Sequence, residues 1–174
     1  MADFLKFSGA ILLIGASSWL GFFEARILTE RCRILQAWLR ILEILGTEIS
    51  YQARMLPEVF RKVALLADEP VFVNVFTYLA SRLDYGTGFT VAELWEELLA
   101  KQSRVLHHND LLILGELGNY LGTTDRQDQL EKLQLCQARL TQNLESAKDK
   151  RDRQVGIYRY LGFAAGSIIV LWLL

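Results

Sequence analysis

Residues 125–174 run for fifty positions without a proline, beginning among charges and finishing without any. No other stretch constrains this chain as much. Thr124 with Gln127 has the form of a capping box, so a helix is expected to open there. Leu130, Leu133, Gln137, Leu140, Leu144 and Ala147 then keep a seven-residue repeat, an apolar seam with one polar member. A charged stalk follows, Lys148-Asp149-Lys150-Arg151-Asp152-Arg153, and residues 160–174 carry no charge. As a single helix the whole stretch is ~75 Å long at ~1.5 Å per residue. Its last seven residues, 168–174, are apolar on every face, and such a helix must be buried all round. One small domain has no such place at its edge, whereas a bilayer does.

A second uncharged run lies near the other end, at residues 7–23. It is ~26 Å long as a helix, close to the minimum for crossing a bilayer, and Trp19, Phe22 and Phe23 suit its interfacial end. The competing reading, a cleaved secretory signal, lacks a clear small-x-small site before Glu24. The flanks set the orientation. Arg26, Arg31, Arg33 and Arg40 follow the first run, and Lys148, Lys150, Arg151, Arg153 and Arg159 precede the second, against Lys6 alone outside. By the positive-inside rule, residues 24–159 face the cytoplasm and both termini lie across the membrane. The expected layout is therefore a transmembrane segment at 1–23, a cytoplasmic helical-bundle domain at 24–159 and a second transmembrane segment at 160–174.

The middle reads as helices throughout. Leu28, Leu35, Trp38, Leu42, Leu45 and Ile49 hold a second heptad seam, with Arg31 and Gln52 at its polar positions. Pro57 opens a helix to about Ala67, and Pro70 opens another with Val71, Val75, Phe76, Leu79 and Leu83 at core spacing. Residues 85–88, Tyr-Gly-Thr-Gly, form a turn. Thr90 with Glu93 is a capping box for a helix to about Ser103, with Leu94, Trp95, Leu98 and Leu99 inward. His108 or Asn109 caps the next, with Leu111, Leu112, Leu114, Leu117 and Leu121 inward and Gly122 at the position beyond its end. The expected fold is all-α, an antiparallel six-helix bundle flanked by two transmembrane segments.

Chemistry is hard to find. Net charge is −1 with the two signs interspersed, which gives no electrostatic footprint for nucleic acid. His107 and His108 are adjacent, so a helix points them apart, whereas chelation wants a spacing of four. Glu96-Glu97 beside Leu98 has the pattern of a solvated face. Gly115, Gly118 and Gly122 fall within a helical pattern rather than in a phosphate-binding loop after a strand, and they fit close helix packing. Cys32 and Cys136 have no metal-ligand spacing. With the outer helices antiparallel they lie ~22 Å apart along the axis, far beyond disulfide reach, so both are expected as reduced thiols. No cofactor, metal site or catalytic set is expected, and the chain does not read as an enzyme.

Four stretches resemble a known family: Leu42-Glu43 through Glu48-Ile49-x-Tyr51 to Leu56-Pro57-Glu58; residues 86–95; residues 110–129, with Leu114-Gly115-x-Leu117-Gly118 and Leu121-Gly122-x-x-Asp125-Arg126-x-x-Gln129; and Tyr158-x-Tyr160-Leu161-Gly162-x-x-x-Gly166. They are similar to the stage III sporulation protein AB family of endospore-forming bacteria. Cys32 departs from the pattern, standing where a proline is expected. The resemblance implies a fold similar to the cytoplasmic domain of the type II secretion and type IV pilus inner-membrane platform protein. It also implies a place in a secretion-like complex between mother cell and forespore. The implied location is the mother-cell membrane around the forespore. The implied partners are the stage III sporulation AA protein, a cytoplasmic ATPase, and other proteins of the same complex. Asp125, Arg126 and Gln129, at the bundle end far from the membrane, are the candidate partner-binding residues. The alternative function is a structural scaffold that binds other integral proteins through its spans.

Overall fold

The computed structural model describes residues 2–51, 55–84 and 88–173, with side chains at 26–50, 55–84, 88–154 and 157. Among the described residues the chain forms six α-helices and no strand: α1 (Ala2–Tyr51), α2 (Leu56–Leu66), α3 (Pro70–Asp84), α4 (Val91–Gln102), α5 (His108–Gly118) and α6 (Arg126–Leu173). The chain divides into two compact units, Met1–Cys32 with Ser146–Leu174, and Arg33–Glu145. The first unit holds the uncharged runs at 7–23 and 160–174. Residues 7–23 and 160–173 lie in helical backbone, and the side chains of both runs fall outside the described residues. Among the described residues no helix is long and apolar enough to cross a membrane. Of the stalk in this unit, Asp149, Lys150, Asp152 and Arg153 are exposed, as its composition requires. Residues 85–87 of the turn expected at 85–88, and the seam position Gln52, also lie outside the described residues; Gly88 has φ +78°, as a turn glycine does.

The second unit is organised around an aromatic core. Trp38 of α1, Phe60 of α2, Phe72 and Phe76 of α3 and Trp95 of α4 are all fully buried. Trp38 meets Phe72 edge-on at 5.1 Å and Trp95 at 5.6 Å, and Phe60 meets Phe76 at 5.6 Å. Edge-on pairs of this kind contribute ~0.5–1.5 kcal/mol each beyond the area they bury. The Trp38 indole nitrogen donates to Gln102 Oε1 at 2.8 Å, which ties α1 to the last turn of α4. In α1 the seam residues Leu35, Trp38, Leu42, Leu45 and Ile49 are buried as expected, and so are Ile34 and Ile41. The buried face is therefore wider than a two-residue seam, as a helix with neighbours on several sides requires.

Several boundaries differ from the expectation. The α3 core face is Phe72, Phe76, Leu79 and Ala80, whereas Val71 is exposed and Val75 and Leu83 are half-buried. Ala80, too small to stand out in a hydrophobic pattern, completes that face, and the larger Phe72 takes the place expected of Val71. In α5, Ile113 is buried and Leu112 exposed, the reverse of the expected pair. That helix is capped by His107, not by His108 or Asn109. The Asp110 carboxylate explains the shift, because its Oδ2 accepts the His107 backbone N–H at 2.9 Å. α6 is capped by Asp125 rather than Thr124, with Asp125 Oδ1 accepting the Asp128 N–H at 2.8 Å. The capping box at α4 forms as expected: Glu93 N–H donates to Thr90 Oγ1 at 3.2 Å, and Thr90 N–H to Glu93 Oε2 at 2.8 Å. That hydrogen bond from the Thr90 backbone, with the Thr90 hydroxyl, holds the Glu93 carboxyl below the usual carboxylate range. Cys32 and Cys136 are free and buried.

Candidate functional site

The corner between α5 and α6 holds all three candidate partner-binding residues. It is built by two glycines. A Cβ on Gly118 would lie 2.5 Å from Trp95 Cδ1, so only glycine lets α5 settle against α4 there. In the same place the Trp95 indole nitrogen donates to the Leu114 carbonyl at 2.8 Å. α5 ends at Gly118, short of the end expected just before Gly122, and tight turns carry the chain to Gly122. Gly122 has φ +78°, and a Cβ there would meet Leu56 Cδ1 at 2.4 Å. Its conformation and its close neighbour both exclude a side chain. The corner thus packs on the first residue of α2. The next residue out, Met55, is 78% exposed, which leaves an apolar side chain at the surface beside it.

Most polar side chains of the corner serve its own backbone. Thr123 Oγ1 donates to the Asn119 carbonyl at 2.7 Å and Thr124 Oγ1 to the Tyr120 carbonyl at 3.3 Å. Gln129 Nε2 donates to the Thr124 carbonyl at 2.8 Å, and Asp125 caps α6. Two of the three candidate residues therefore have structural work that accounts for them. Arg126 differs. It is exposed at the first position of α6, and among the described residues nothing pairs with it. A cation at a helix N-terminus faces the positive end of the helix dipole, which is the unfavourable end. Local folding gives no reason for an arginine at this position.

Two features lie along the neighbouring face. Asp110 is fully buried, and its Oδ1 accepts from Asn143 Nδ2 at 2.7 Å, joining α5 to α6. No pattern in the sequence pairs those two residues, which stand 33 positions apart. A groove of about 260 Å³ runs between Ile113, Tyr120, Leu135 and Cys136, with Arg139 and Glu116 paired across it at 3.0 Å. Most of that volume is open to solvent, and the enclosed part has room for about one water rather than a ligand. Burial pushes the Cys136 thiol up to about 12, which keeps it from reacting as a thiolate. Glu96 and Glu97 are exposed, and Glu97 pairs with Lys101 at 2.8 Å. Among the described residues no group of three or more His, Cys, Asp or Glu side chains could hold a metal ion.

The sequence profile of a family described as stage III sporulation protein AB matches residues 6–174. The chain belongs to that family. Stage III sporulation protein AB of Bacillus subtilis (strain 168) is 28% identical over 172 residues, which is 98% of this chain and 99% of the relative. A solved structure titled stage III sporulation protein AB matches with a TM-score of 0.62 at 24% identity. It covers 71% of this chain and 98% of the other, a likeness that concerns the fold. A role in sporulation follows from membership. Two glycines of the block that resembles the family, Gly118 and Gly122, shape the corner that presents Arg126.

Proposed function

We propose that this sporulation protein is a non-enzymatic, membrane-anchored platform. Its helical unit docks a cytoplasmic ATPase of the stage III sporulation AA type at the mother-cell membrane facing the forespore. The two uncharged terminal runs anchor it, and residues 24–159 face the cytoplasm. The observation that carries docking is Arg126, exposed and without a partner among the described residues, on a corner where Asp125 and Gln129 are engaged. Arginine is among the residue types that dominate protein interfaces. A rigid corner loses less entropy on docking than a flexible tether does.

The test is co-sedimentation of the purified ATPase with vesicles that carry the full chain. Arg126→Glu is expected to weaken retention at least ~10-fold, a typical loss for a charge-reversed interface arginine. Arg104→Glu, also exposed, serves as the control and leaves retention unchanged. Equal retention by wild type and Arg126→Glu removes this corner from the account. Retention of other integral proteins but never of the ATPase favours a scaffold acting through the spans.

A further inference from the structure

We propose that α5 and the part of α6 beside it form a self-association face, and that its occupant is a second copy of this chain. This goes beyond the docking at Arg126 and does not depend on it. Leu112 of α5 is 52% exposed and Leu135 of α6 is 46% exposed. Single exposed leucines are ordinary, and here the charges set between the two decide what covers them.

Four contacts fix how the two helices run. Asp110 meets Asn143, Ile113 meets Cys136, Glu116 meets Arg139, and the Lys132 ammonium lies 4.8 Å from the centre of the Tyr120 ring. Residue numbers rise along α5 as they fall along α6, so the helices are antiparallel. Leu112 stands four residues before Glu116, and Leu135 four residues before Arg139, ~6 Å of helix in each case. The leucines therefore lie on opposite sides of the ion pair, one on each helix.

Charge selects the partner. Glu116 is 62% exposed and Arg139 44% exposed, so both face outward while paired. At their level α5 presents an anion and α6 a cation. A second copy, turned by half a revolution about the line of the groove, lays its α5 over this α6 at that same level. Glu116 of the second copy then meets Arg139 of the first, and its Arg139 meets the first Glu116. That is the self-complementary pattern of an isologous interface. A partner of one charge sign would meet its like on one of the two helices, which costs binding. Two antiparallel helices laid on two more also give a four-helix arrangement, which buries the leucines of both copies.

The experiment mixes donor- and acceptor-labelled full chains in vesicles and follows energy transfer as added lipid dilutes the protein. The dyes sit at Arg104→Cys, an exposed position; the native thiols are both buried. Wild type is expected to transfer above the level of random encounter. Glu116→Arg leaves only cations at the level of the pair and Arg139→Glu only anions, so either alone should weaken association at least ~10-fold. Mixing the two variants should restore it, because their faces are then opposite in sign. An exposed pair contributes little to folding, and mixing cannot rescue a misfolded chain, so restoration separates contact from stability. Leu112→Asp together with Leu135→Asp should reduce transfer to the random level. Random transfer in wild type overturns the proposal. Transfer that neither charge variant reduces means that the copies meet through the spans or another face, and overturns it. Loss without restoration means that the two charges do not face each other across copies, and also overturns it. Chain that fails to enter vesicles counts against anchoring alone, and the same transfer is then read in detergent micelles.

Discussion

The two helical hairpins of the second unit, α2–α3 and α4–α5, are held together in different ways. In α4–α5 the fit is specific. Gly118 admits the Trp95 ring, the indole donates to Leu114, and Thr90 with Glu93 fixes the first turn. In α2–α3 the inward side chains are Val59, Phe60, Val63, Phe72 and Phe76, and the polar ties at its ends are the exposed pairs Arg40–Asp68 and Arg61–Asp84. The α4–α5 hairpin therefore has few side chains without structural work. The α2–α3 hairpin leaves Leu65, Leu66 and Val71 uncovered. Unexplained surface of that kind is where binding is to be sought, whereas Gly118 of α5 belongs to packing.

The contrast can be broken by substitution, read as thermal unfolding of the full chain in detergent micelles. Trp95→Ala should be the most damaging, at ~3–5 kcal/mol, since it empties the core and frees a carbonyl. Gly118→Ala should cost ~1–3 kcal/mol by overpacking against Trp95, despite adding only a methyl group. Thr90→Ala should cost ~1 kcal/mol through the lost cap. At the other hairpin, Leu65→Ser, and Arg40→Ala on α1 facing its turn, should each stay within about 0.5 kcal/mol of wild type, because exposed pairs and exposed apolar groups contribute little. A loss of several kcal/mol at Leu65 would mean that the corner is packed against something in the folded unit.

The smallest expected effect concerns acid. The Glu93 carboxyl is held low by its hydrogen bonds with Thr90, so its contribution is complete above the ordinary glutamate range. It is lost as pH falls through the depressed folded value. The difference in unfolding midpoint between wild type and Glu93→Ala should therefore shrink below about pH 4. A difference that persists unchanged in acid would mean that Glu93 acts other than as a carboxylate.

Much of the fold was legible because its signals are local. Pro57, Pro70 and Thr90 with Glu93 mark helix starts by backbone chemistry, and all three hold. The core face of α4 was legible for the same reason, with Leu94, Trp95, Leu98 and Leu99 in phase. What could not be read depends on residues distant in sequence. Asp110 meets Asn143 across 33 positions, and Gly118 is required by a tryptophan on another helix. Thr124 has the residue type of a cap, and the expectation failed there because it is the Asp125 oxygen that reaches the Asp128 N–H. Of the candidate site, the location of Asp125 and Gln129 was legible but their engagement in the turn was not. Arg126 stood out only once its neighbours were seen to be occupied.

The central claim is that two uncharged helical runs fix a helical unit to a membrane. Flotation of the full chain on a density gradient, after an alkaline carbonate wash of the membranes, tests it most directly. Intact protein should rise with the lipid. Intact protein left at the bottom of the gradient, or released by the wash, would contradict the account.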